Sequence, residues 1–207
     1  MRNLLQISPN ELFALVAAIS FAAGLNLYAT VAALGLLARV GHLPLPPGLH
    51  ALAAWPVIAA AIALFAIEFF ADKIPAVDLI WNALHTFIRV PVAGLLAYEA
   101  ANQLSFEKQL LATLLGAVIA LAAHGGKTAA RAAITPSPEP VSNITLIVAE
   151  DVLAIGLTLL ATRHPYAAGT LAAILLGIIV ILRVILRRWV IRALIALFRG
   201  AEHELAA

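Results

Sequence analysis

A chain of 207 residues that is 63% hydrophobic and only 12% charged, with a mean hydropathy of +1.01, falls outside the range of water-soluble domains, which average about 45–50% apolar and about 25% charged residues. It has no cysteine, which excludes disulfides and thiolate metal sites. The formal net charge of +2 is small, so where the basic residues fall matters more than their sum. The composition predicts an all-α, polytopic membrane helix bundle.

The opening, MRNLLQISPNELFALVAAIS, lacks a small-residue cleavage site, and the first apolar segment is expected to be a retained span. A crossing helix needs about 20 mostly apolar residues. Segments at 11–38, 52–70, 79–98, 109–126, 142–162 and 166–186 meet that need, which predicts about six spans. The first begins after Ser8-Pro9-Asn10 with Glu11 in its first turn, good helix-start chemistry. It carries Gly24-Leu25-Asn26 and ends near Arg39, before the turn-rich LPLPPG at 43–48. The fourth closes at His124-Gly125-Gly126-Lys127, and ITPSPEP (134–140) connects it to the fifth. The transmembrane domain is therefore read as 1–186 and a basic tail as 187–207.

Lys and Arg concentrate on the cytoplasmic side of membrane proteins. With six spans, both termini fall on one side, together with Arg2, Lys73, Lys127, Arg131 and the basic residues from Arg183 to Arg199. Arg39, Lys108 and Arg163 fall on the other. This predicts an inner-membrane protein with cytoplasmic N- and C-termini. In the tail, Trp189, Leu194, Leu197 and Phe198 lie between arginines, a pattern that fits an interfacial helix drawn to anionic lipid. A simple positive anchor for the last span fits equally. The bilayer, anionic lipid at the tail and a second copy of the chain are the expected partners; nucleic acid is not.

The stretch EFFADKIPAVDLIWNALHTFIRVP (68–91) places charges and prolines where lipid-soluble sequence is expected. A charged residue near a helix centre costs about 2.5–3.5 kcal/mol on insertion scales. Arg89 lies ten residues into the third span, about 15 Å deep by helix rise. Glu150 and Asp151 are at similar depth in the fifth span, and Asn26 is midway along the first. Pairing of Arg89 with Glu150 or Asp151 is the expected solution, the other carboxylate meeting Asn26, Lys127 or water. A second layer toward the cytoplasm comprises Glu68, Asp72, Lys73, Asp78, His85, His124, Lys127, Arg131, Glu139 and Asn143. Pro75, Pro91 and Gly125-Gly126 are expected to interrupt helices, as happens beside transporter sites. The two clusters share a layout that suggests an internal repeat. The bland alternative is an ion pair that only holds helices together.

Catalytic patterns are weaker. No nucleophile elbow or HExxH motif occurs, and Gly126-Lys127-Thr128 lacks the earlier glycine of a phosphate loop. His85, His124, Glu68 and Asp72 form a metal-donor alternative of lower weight, and no cofactor is expected.

The blocks GLNLYAT (24–30), EFFADKIPAVDLIWNALHTFIRVPVAG (68–94), HGGKTAARAAITPSPEPVSN (124–143) and AEDVLAI (149–155) resemble the signature blocks of the DUF4126 family. That family comprises bacterial integral membrane proteins without an assigned reaction, so the resemblance implies a membrane protein and leaves its activity open. The residues point to a transporter or channel for a small ion or polar solute. Arg89, Lys73, Lys127 and Arg131 would favour an anion; Glu150 or Asp151 would relay a proton or bind a cation. A lipid-handling protein (scramblase, flippase or head-group enzyme) and a structural assembly protein are the alternatives.

Overall fold

The computed structural model describes residues 8–40, 46–134 and 140–205, with side chains outside the described set at 75–76, 78–79, 132–143 and from 193 onward. The described residues form α1 (Pro9–Leu25), α2 (Leu27–Arg39), a 3₁₀ helix (Pro47–Ala53), α3 (Trp55–Ala71), α4 (Pro75–Ala100), α5 (Phe106–Ile134), α6 (Pro140–Arg163) and α7 (Pro165–Leu205). None of them is in a strand. An all-α membrane bundle is thus the architecture.

Local chemistry sets the helix starts. Ser8 and Glu11 form a reciprocal capping box on α1, with Pro9 in its first turn. Proline also stands at the start of α3, α4, α6 and α7, where its missing N–H is no loss. Inside helices the outcome differs from the expected interruptions. α4 runs on through Pro91, and α5 through Gly125-Gly126. The glycines instead admit a close neighbour: a Cβ on Gly126 would lie 2.7 Å from Ile179 Cδ1, and one on Gly125 would meet the Arg183 guanidinium.

Four helical stretches are long and apolar enough to cross a membrane: Ile80–Ala100, Phe106–Arg131, Ile144–Arg163 and Pro165–Arg192. The 3₁₀ helix and α3, bent by 68° at their break, make a fifth if the pair is one span. The first expected span is different. It breaks at Asn26 (φ −146°, ψ 104°) into helices of 17 and 13 residues. Each is shorter than the about 20 residues a crossing needs.

The contacts of the two pieces show that they form a hairpin. At its start, Ser8 Oγ lies 3.3 Å from the Tyr166 hydroxyl at the head of α7. Ser20 meets Gly116 beside Ala97, and Leu25 reaches Arg89, so α1 runs antiparallel to α4. α2 then returns. Tyr28 and Val31 line a cavity with Ile88 and Val92, and Gly35 packs on Leu52 and Ile58. The 3₁₀ helix in turn sits through Gly48 on Glu99 and Asn102, at the end where α4 finishes. Both feet of the hairpin therefore stand at one end of the bundle, with the apex at Leu25-Asn26 inside it.

The first expected span is thus divided, and the count of candidate spans is four or five against about six expected. α1 and α2 fold back on each other, and each is too short to cross alone. By length and composition the described residues hold four candidate spans, or five if the bent pair is one span. Ser8 and the far end of α7 lie at opposite ends of the bundle. The reason is physical: an apolar run of this length reads alike as one bent span or as two arms. α7 is also continuous past 186, so the basic tail extends the last span without a break.

α1 is the hub, packed against α4, α5, α6 and α7. Small residues let it approach closely: a Cβ on Gly24 would lie 2.5 Å from Ala120 O, and one on Gly169 would lie 2.9 Å from Ala14 Cβ.

The hairpin is testable because the chain has no cysteine of its own. Single cysteines at exposed positions, Asn10→Cys and Arg187→Cys, are expected to react with a membrane-impermeant maleimide from opposite sides of sealed vesicles. Reaction of both from the same side would restore the six-crossing arrangement.

Candidate functional site

The hairpin apex leaves backbone groups without helical partners in the interior of a membrane bundle, and the site is built around them. Leu25, the last residue of α1, presents its carbonyl to Lys127 Nζ at 3.1 Å and Arg89 Nη1 at 3.4 Å. Asn26 caps α2: its Oδ1 accepts from Ala29 N at 2.9 Å, and its Nδ2 donates to Asp151 Oδ1 at 2.8 Å. Cations thus stand at the negative end of α1, and a carboxylate is tied to the cap at the positive end of α2.

Each cation draws in carboxylates. Arg89 pairs with Glu68, both side chains fully buried, and donates to His124 Nδ1 at 3.1 Å. Lys127 Nζ lies 3.3 Å from Glu68, 3.5 Å from Asp72 and 3.7 Å from Glu150. Arg131 reaches Asp72 at 2.6 Å and holds Glu150 through Nε at 3.2 Å and Nη2 at 2.8 Å. The network starts at the apex on α1–α2 and joins α3, α4, α5 and α6.

Hydrogen bonds fix the imidazoles. His124 Nδ1 accepts from Arg89, so its proton is on Nε2, which faces Asn82 O at 3.2 Å and Thr86 Oγ1 at 2.8 Å. His85 Nδ1 faces Trp81 O at 2.8 Å, leaving Nε2 to accept from the Tyr28 hydroxyl at 2.8 Å. Its ring stacks on Trp81 with centroids 4.1 Å apart. With both rings neutral, the described residues of the cluster include four carboxylates (Glu68, Asp72, Glu150, Asp151) against three fixed cations (Arg89, Lys127, Arg131). Among the described residues one negative charge is in excess.

Asp151 is where the excess falls. It is 6% exposed, has Asn26 as its donor, and belongs to no ion pair among the described residues. Its Oδ2 is buried without a hydrogen-bond partner, as is Glu68 Oε2.

Of the residues the sequence nominates, Asn26, Glu68, Asp72, His85, Arg89, His124, Lys127, Arg131, Glu150 and Asp151 come together. Lys73 does not. It is exposed, with its ammonium 3.7 Å over the Phe69 ring. The side chains of Asp78, Glu139 and Asn143 lie outside the described residues. The expected partner of Arg89 is also corrected: Glu68 holds it, while Glu150 serves Arg131 and Asp151 meets Asn26. Depth counting missed this because Glu68 lies only three residues before the end of α3, where a count of span depth gives it the inner surface. The metal-donor set does not converge, since Glu68 faces Arg89 and His85 turns to Tyr28. Among the described residues no group of three or more His, Asp or Glu is placed to hold a metal ion.

Tyr28, Trp81, Asn82, Thr86 and the Leu25 carbonyl were not anticipated. A signal was present for three of them: Trp81, Asn82, His85, Thr86 and Arg89 recur at three- and four-residue spacing, one face of a helix.

Removing one member of a buried pair strands the other charge. Glu68→Ala is expected to destabilise the protein by about 3–5 kcal/mol. Glu68→Ala with Arg89→Leu should recover much of that loss, as thermal unfolding in detergent would measure. Equal damage from single and double variants would mean that Glu68 does not act through Arg89.

The chain matches the family described as Domain of unknown function (DUF4126) over residues 13–184, and it belongs to that family. The matched region contains the whole charged network and stops within α7. No curated protein and no solved structure matches the chain.

Proposed function

We propose that this DUF4126 protein is a transporter for a small ion or polar solute, with the hairpin apex as its binding site and Asp151 as its exchangeable, proton- or cation-binding group. The observation that carries this reading is the excess buried carboxylate beside a broken helix. Half-helix ends turned toward a midplane site are the arrangement by which many transporters hold ions. A charge left uncompensated there costs about 2.5–3.5 kcal/mol or more, and an arriving proton or small cation relieves it.

The same geometry weighs against an anionic substrate at this point. Arg89, Lys127 and Arg131 already face carboxylates and the Leu25 carbonyl. A purely structural network is a poorer account, because such a network gains nothing from leaving Asp151 without a cation.

Basic residues suggest the orientation. Arg183, Arg187, Arg188 and Arg192 mark the far end of α7, against Arg39, Lys108 and Arg163 at the opposite end. By the positive-inside tendency the end of α7 faces the cytoplasm of a cell (inner) membrane. The hairpin feet, with the N-terminal end of α1, then face the other side.

The test uses the full chain in liposomes containing a trapped pH dye, with a potassium gradient and valinomycin imposing the potential, and sodium as the alternative ion. Asp151→Asn keeps a hydrogen-bonding partner for Asn26 and removes the excess charge. It should fold with unchanged or higher thermal stability, while flux drops by about tenfold or more, equivalent to about 1.4 kcal/mol in the barrier. Wild-type flux in the variant would sink the proposal. So would movement of labelled phospholipid, with no ion flux, in the same liposomes, which is what the lipid-handling alternative requires.

A further inference from the structure

α2, the return arm of the hairpin, is less well covered by protein than α1. A cavity of about 480 Å³ runs between α2, α3 and α6. Ala29, Ala32, Ala33 and Leu36 form one wall, Phe65 and Leu159 stand opposite, and every lining residue is apolar. Water has no polar partner there. Packing contacts are lost along an empty slot, so something apolar is better accommodated than a void.

The shape of the slot selects its occupant. It follows α2 from Ala29, one turn from the apex, to Val40 at the foot. By helix rise that is about 16 Å, close to the half-thickness of a bilayer's hydrocarbon core, about 15 Å. The slot has the depth of one leaflet. At its foot, next to Val40, the exposed Arg39 lies 4.7 Å over the Trp55 ring. A cation and an indole at that level are the usual contacts of a lipid headgroup zone.

We infer that the slot between α2, α3 and α6 binds one acyl chain of a membrane phospholipid, with the phosphate at Arg39. The small side chains Ala29, Ala32 and Ala33 make the room, and the lipid completes the packing of the hairpin's return arm. This inference rests on the cavity and stands apart from the ion site.

Native mass spectrometry of the full chain, titrated in detergent with palmitoyl-oleoyl phosphatidylglycerol, tests it. Wild type should retain a phospholipid at low collision energy. Ala33→Trp, which fills the slot, should lose it, and Arg39→Gln should release it at lower collision energy than wild type. Leu114→Trp places the same indole on the exposed face of α5 and should bind as wild type does. If Ala33→Trp fails to fold, Ala33→Leu takes its place and should show weakened retention. Undiminished binding in the filled variant, equal loss in Leu114→Trp, or a protein dimer in place of the lipid adduct overturns the inference.

Discussion

The constraint on which the rest of this structure depends is the Leu25 carbonyl, left without a helical partner at the break before Asn26. In a bilayer interior an unsatisfied peptide group costs several kcal/mol, and this chain breaks a helix there. Its solution uses side chains from across the bundle. Lys127 and Arg89 converge on the Leu25 carbonyl, and Asn26 caps the following helix. Those cations then need counter-charges, which Glu68, Asp72 and Glu150 supply. A break in one helix therefore dictates charged residues on α3, α4, α5 and α6. The ADKIP, HTFIR, HGGK and AEDV stretches are parts of one electrostatic problem.

Such a network is a poor route to stability alone. Buried ion pairs often do no better than well-packed apolar residues, while breaking one is expensive. What they do provide here is registry. Arg131 ties Asp72 to Glu150, and Lys127 spans Glu68, Asp72 and Glu150, so the levels of α3, α5 and α6 are set relative to the apex. Asp151 stands beside this lattice and is held by a neutral amide. Its charge state can change without breaking an ion pair, which suits an exchangeable group and would be wasteful in a strut.

Much of this was readable from the residues. Hydropathy marks the long helices, and the cost of intramembrane charge singles out ten of the residues that gather at the site. The hairpin was not readable in the same way. Hydropathy is a local quantity, and whether α2 continues α1 or returns beside it depends on its packing against α3 and α6. A local hint lay in Asn26 itself, since Asn is a strong N-cap and its Oδ1 meets the N–H of Ala29, three residues on. The pairing of Arg89 was hidden for a related reason. Depth counted from span starts assumes that helices end flush, and α3 ends only three residues after Arg89's partner, Glu68. The stripe on α4 from Trp81 to Arg89 was legible but was read as isolated residues.

The two arms of the hairpin are packed unequally, and the inequality has a direction. α1 lies against α5 and α7 through Gly24, Gly116 and Gly169, contacts that leave no room for a Cβ. α2 is flanked by apolar cavities, one of about 480 Å³ toward α6 and one of about 390 Å³ toward α4. Displacing α1 would disturb four helices at once, whereas displacing α2 would exchange apolar contacts for lipid and break the Tyr28–His85 hydrogen bond. Asn26 joins the arms and holds Asp151, so a shift of α2 cannot leave that hydrogen bond unaffected. Neutralising Asp151 weakens the grip of its carboxylate on the Asn26 amide, because hydrogen bonds to a charged acceptor are roughly twice as strong as neutral ones. The charge of the buried carboxylate and the position of α2 are thereby linked through one side chain, Asn26, with α1 as the reference for both.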